Sequence, residues 1–161
     1  MIQRFTFGCP LPTESVVLPV EPAAAAVPYL TAEPDGSWSF SLAEDAVVYG
    51  LGEMPRGINK RGWHYVTDNT DESHHGENRL SYYGAHNFLL IDGGAGRSVF
   101  GVFVDFPGKV FYDIGYTRHD RLTFRTEEPD YDLYILTGDS PNAVCTEFRK
   151  LIGHSYIPPK W

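Results

Sequence analysis

Residues 37–42, SWSFSL, set Ser37, Ser39 and Ser41 against Trp38, Phe40 and Leu42 in strict alternation. Successive side chains of an extended chain point to opposite faces, so this stretch predicts a strand with a core face and a wet serine face. The same period recurs downstream. VVYGL at 47–51, WHYVT at 63–67, HNFLLI at 86–91, SVFGVFVD at 98–105, KVFYDI at 109–114, RLTFRT at 121–126 and YDLYILT at 131–137 all read as strands between turn residues. That is about eight short strands at the spacing of a sandwich. Upstream, residues 1–28 read as an N-terminal strand and linker. They close on EPAAAAVP at 21–28, whose prolines cannot sit inside a helix.

One segment changes period. In GDSPNAVCTEFRKLIG, Ser140 suits an N-cap, Pro141 the first helical position and Gly153 a C-terminal stop. Val144, Phe148, Leu151 and Ile152 recur at i, i+4, i+7 and i+8, which predicts a helix over 141–152 with one apolar face. The fold class is therefore mainly β: an antiparallel sandwich body over 29–157 with one C-terminal helix.

The 161 residues suffice for one core without disulfide staples. A net charge of −8, with no basic cluster beyond Arg56, Lys60 and Arg61, argues against nucleic acid as a partner. The apolar runs are too short to span a bilayer, and MIQRFTFGCP lacks the basic and apolar regions of a signal peptide, so neither membrane nor export is expected and the location is read as cytoplasmic. Cys9 and Cys145 stand 136 positions apart and are expected to be isolated, buried thiols.

DGGAGRS at 92–98 places its glycines between two strands with no helix following. That pattern predicts a hairpin and not a phosphate loop. TDNTDESHHGEN at 67–78 is the most polar stretch in the chain and is longer than most connections, as functional loops often are. Its Asp68, Asp71, Glu72, His74, His75 and Glu77 match no metal signature, so a solvated acidic loop is expected, with no metal or other cofactor. Adjacent carboxylates such as Asp71 and Glu72 seldom flank a glycosidic bond at the separation of about 5–10 Å that hydrolysis needs. No catalytic residue is assigned within the chain.

VVYGLGE at 47–53, RGWHYVTDNTDE at 61–72, YYGAHNFLL at 82–90 and YIPPKW at 156–161, taken in order and spacing, resemble the N-terminal region of glycoside hydrolase family 31, the α-glucosidase family. The resemblance implies a galactose-mutarotase-like sandwich preceding a (β/α)₈ barrel, with residues 158–161 leading into the barrel and Trp161 at its start. It implies that the aspartate nucleophile and the aspartate acid/base lie on the barrel and work by retention. The N-terminal domain would support that barrel and lend a loop to the substrate pocket, so that α-linked glucose oligosaccharides become the partner of the complete enzyme. In that loop Asn69, Thr70 and Asp71 match an N-x-D context, which makes Asp71 the foremost substrate-binding candidate, followed by Asn69 and Glu72. Where many members carry His-Pro, this chain has His86 and Asn87, and His86 is read as a structural histidine.

Two other functions compete. A stand-alone carbohydrate-binding sandwich would need Trp38 and Trp63 on an exposed platform, whereas a core position is the plainer reading. A sugar epimerase would need a general acid and base within the chain, and no His and Glu pair stands out for that work.

Overall fold

The computed structural model describes residues 1–25, 30–71, 73–93 and 98–160. Its strands are β1 (Ile2–Phe7), β2 (Leu30–Ala32), β3 (Trp38–Ser41), β4 (Val47–Gly52), β5 (Trp63–Thr67), β6 (Ala85–Asp92), β7 (Val99–Asp105), β8 (Val110–Ile114), β9 (Arg121–Thr126) and β10 (Tyr131–Gly138), followed by the helix α1 (Pro141–Ile152). They form two five-stranded sheets, ordered β1-β10-β7-β6-β4 and β2-β3-β9-β8-β5. Neighbouring strands in both sheets run antiparallel. This is the antiparallel sandwich with a single C-terminal helix that the alternation and the helix signals predict.

The strand β10 shows how the layers are built. Leu133 and Ile135 enter the core between the sheets, where they meet Phe40, Leu122 and Phe124 of the second sheet. Tyr134 and Leu136 point the other way and join Val144 and Leu151 of α1. Apolar residues on both faces of β10 are what a strand between a second sheet and a helix requires. The helix is capped as its sequence predicts: Ser140 Oγ accepts a hydrogen bond from Ala143 N at 3.2 Å, and Gly153 closes the last turn at φ 85°. Phe148 stacks on Phe88 with ring centroids 3.9 Å apart. Ile152 is 37% exposed, so the predicted apolar face is wider than the surface the sheet covers.

β6 and β7 pair from Phe88↔Phe103 to Asp92↔Val99, so their connection is a hairpin, although residues 94–97 lie outside the described residues, as does Trp161.

Three expectations are corrected. The serine face of residues 37–42 is wet only at Ser41, because Ser37 and Ser39 are buried. Asp35 accepts from Ser37, and both Glu33 and Arg121 bond Ser39, so charged side chains fold over the hydroxyls and satisfy them. Cys9 and Cys145 are free but exposed: Cys9 follows β1 in a loop and Cys145 sits beside Val144 on the outward side of α1. Trp38 packs against the core, 5.2 Å from Phe7, but Trp63 is 44% exposed because it lies at the start of β5, beyond the edge of the opposing sheet's cover.

Candidate functional site at the end of strand β5

The carboxyl end of β5, the start of β6 and the β7–β8 turn converge on a polar pocket of about 390 Å³ whose lining includes Thr67, Asp68, Asn69, His86, Lys109 and Glu127. Thr67 fixes its floor. Its hydroxyl donates to Asn87 Oδ1 and accepts from Val110 N, tying β5 to β6 and to β8. Asn87 Nδ2 reaches Phe106 O at 3.4 Å, so Asn87 links Thr67 of the second sheet to the end of β7 in its own sheet. Lys109 Nζ meets Asp68 Oδ2 at 2.9 Å, and that bond holds the ammonium pKa above its ordinary value. Glu127 Oε2 accepts from Lys109 N at 3.0 Å.

His86 is exposed, yet the protein atoms around it partly desolvate its imidazole and lower its pKa below the usual value. Its Nδ1 accepts from Phe88 N at 3.2 Å. The backbone around it is tight: Gly52, at φ 74°, could not carry a Cβ without placing it 2.2 Å from Gly84 O.

Asn69 lines the pocket, and its Oδ1 accepts from Ala85 N at 2.6 Å. This bond joins the two ends of the connection between β5 and β6. Thr70 N donates to Tyr82 O at 3.2 Å and continues the closure. Asp71 is exposed, does not line the pocket, and makes no hydrogen bond or ion pair among the described residues. Glu72 lies outside the described residues. The remainder of the loop is organised by an aromatic residue that its polar composition concealed. Tyr82 is 8% exposed, donates its hydroxyl to Gly76 O at 3.0 Å and packs against the His75 ring at 4.9 Å. His74 bonds Ser73 at 2.9 Å, and among the described residues no three His, Cys, Asp or Glu side chains converge as metal ligands would.

A family described as the glycosyl hydrolase 31 N-terminal galactose mutarotase-like domain matches residues 25–113. The chain belongs to this family. Among curated proteins, it is 31% identical over 121 residues to alpha-xylosidase XylQ of Lactiplantibacillus pentosus, covering 75% of this chain and 15% of that protein. It is also 31% identical over 128 residues to probable maltase-glucoamylase 2 of Homo sapiens, covering 76% of this chain and 5% of that protein. The family 31 sandwich thus spans a small part of the relatives it matches. Among solved structures, a GH31 dextranase of Flavobacterium johnsoniae complexed with glucose superposes with a TM-score of 0.70 at 24% identity, over 85% of this chain and 16% of that one. A cycloalternan-degrading enzyme from Trueperella pyogenes in complex with cycloalternan gives 0.68 at 20% identity, over 76% and 17%. These likenesses carry the fold.

Proposed function

We propose that this chain is the N-terminal accessory domain of a retaining family 31 α-glucosidase that removes terminal α-linked glucose from oligosaccharides. In this reading residues 1–28 are a strand and linker and 29–157 the sandwich body. Residues 158–161 lead into a (β/α)₈ barrel that supplies both catalytic aspartates, and the sandwich supports that barrel and lends residues 69–72 to the rim of its pocket. The observation that carries the reading is the division of labour between Asn69 and Asp71. The first closes the loop base, while the second, two residues on, is exposed with its carboxylate unpaired among the described residues. An exposed carboxylate beside a fixed loop base can accept two hydroxyl hydrogen bonds from one pyranose, which orients a sugar at a pocket mouth. A cytoplasmic setting belongs to the same proposal and is in keeping with two unpaired cysteines.

A stand-alone sugar-binding sandwich finds less support. Trp63 is exposed as a platform residue should be, but the Arg56 guanidinium stands 4.6 Å from its ring centroid and covers one of its two faces.

The test is turnover of an aryl α-glucoside and an aryl α-xyloside by the complete enzyme and by the 161-residue chain. The complete enzyme is expected to hydrolyse the glucoside faster, with retention, and the chain alone to hydrolyse neither. Preference for the xyloside overturns the glucosidase assignment, and turnover by the chain alone that a mutation within it abolishes overturns the accessory role.

A further inference from the structure

Arg56 occupies a backbone conformation that arginine seldom takes. Its φ is 71°, in the left-handed region that glycine enters freely, between Pro55 and Gly57 at φ 73°. A side chain that holds its backbone there must be fixed by its surroundings, and the surroundings are specific. Its Nε donates to Glu77 O at 2.9 Å, and one terminal nitrogen donates to His64 O at 2.7 Å. The guanidinium carbon Cζ lies 4.6 Å from the Trp63 ring centroid and 5.7 Å from that of Tyr65. One side chain from the β4–β5 connection therefore grips β5 and the far half of the Asp71 loop together.

The turn that presents Arg56 is itself fixed from below. Lys60 is 4% exposed, and its ammonium donates to Gly57 O at 2.7 Å and to Met54 O and Pro55 O at 3.4 Å. Three carbonyls flanking Arg56 thus converge on one buried cation. Desolvation lowers the Lys60 pKa, the signature of a charge enclosed by dipoles without a contacting carboxylate. Besides Thr70 N to Tyr82 O and the Tyr82 hydroxyl to Gly76 O, two attachments bracket Asp71 in the loop above. Asn69 to Ala85 closes its base, and Arg56 to Glu77 holds its tip.

We infer that Arg56 is a positioning residue for the substrate-rim loop, latching the Glu77 carbonyl to β5 so that Asp71 is held in place between two fixed points. This inference rests on the rim role proposed for Asp71. The fork geometry matters: Nε and a terminal nitrogen of one planar guanidinium reach carbonyls on two separate segments, whereas a lysine ammonium would have to meet both from a single point.

The test has two arms. Hydrogen exchange on the 161-residue chain reads the latch itself. Arg56→Ala is expected to speed exchange at Gly76 and Arg79, whose amides bond His74 O and Gly76 O, by about tenfold, while amides of β7 and β10 are unchanged. Unchanged exchange at the tip, or acceleration spread through β7 and β10, overturns the latch. In the complete enzyme, Arg56→Ala is expected to lower kcat/KM about three- to tenfold, less than Asp71→Ala does, and Arg56→Lys to recover only part of the loss. The decisive comparison is the double variant. If Arg56 acts through Asp71, adding Arg56→Ala to Asp71→Ala costs nothing further, whereas multiplied losses mean that Arg56 works by another route. Asp71→Ala without kinetic effect overturns the rim reading and the positioning role with it, while tip exchange still reports whether the latch exists.

Discussion

The two sheets share a core yet live in different surroundings. In the first sheet β7 has five consecutive buried residues and β10 has six, because α1 covers the face turned away from the second sheet. In the second sheet β8 and β9 keep a strict alternation: Val110, Tyr112 and Ile114 are buried, while Phe111 and Asp113 are only partly so. Arg125 lies over Phe111 at 4.0 Å, and Asp113 bonds His64, so the outer face of this sheet is made of charge and π contacts. The difference teaches that helix cover, and not strand order, decides where a substitution is costly. It also explains why the candidate site sits where β5 of the uncovered sheet approaches β6: there polar side chains remain free of the core.

The largest expected effect lies under the helix. Leu136 is fully buried between β10 and α1, and Leu136→Ala should lose about 2–5 kcal/mol, whereas Thr123→Ala on the outer face of the second sheet should stay within about 0.5 kcal/mol. Denaturant titration of the two variants checks this, and equal losses would dissolve the distinction between the sheets. A smaller effect is expected at Gly101, where a Cβ would stand 2.8 Å from Val144 Cγ1 and 2.9 Å from Phe88 Cε2. Gly101→Ala should cost about 1–3 kcal/mol by overpacking, and Val144→Ala in the same chain should return part of it. Additive losses would mean that the helix does not press on that glycine.

The sheets differ in sequence legibility for the same reason. Alternation found most strands of both, since period two survives whichever face is covered, but it missed the three-residue β2. What it misjudged was what lay over the strands. Ser37 and Ser39 looked wet, because nothing local announces that Glu33, Asp35 and Arg121 will close over them. Trp63 looked like core, because an aromatic in a strand says nothing of its distance from the end of the opposing sheet. The cysteines looked buried from their residue type alone. In the candidate site, Asn69 and Asp71 were legible through the motif they match, and the division between a bonded and a free carbonyl-type group was not. The structural roles of Arg56 and Tyr82 were not legible. Tyr82 opens the YYG motif just after the loop, and a positively charged residue between Pro55 and Gly57 is the only local hint of the latch.

The outer face of the second sheet also carries a pH dependence, centred on Asp113. Burial of Asp113 opposes its charge, but hydrogen bonds from Thr117, His64 and the backbone N–H of Tyr116 outweigh this and hold its carboxyl below the ordinary value. A depressed folded-state pKa adds stability above the unfolded value, about pH 3.9, which is lost as pH falls through the folded value. Melting temperatures of the native chain and Asp113→Asn should therefore differ by a few degrees near pH 7 and converge toward pH 3. A gap independent of pH would mean that the Asp113 charge contributes nothing.

The smallest effect on folding should accompany the largest on function. Asp71→Ala, made in the complete enzyme, removes an exposed charged acceptor with no partner among the described residues. Its melting temperature should change by less than about one degree. If the carboxylate bonds sugar hydroxyls, kcat/KM should fall about ten- to hundredfold, corresponding to about 1.5–3 kcal/mol. Unchanged kcat/KM would remove Asp71 from the substrate site and contradict the proposed rim role of this domain.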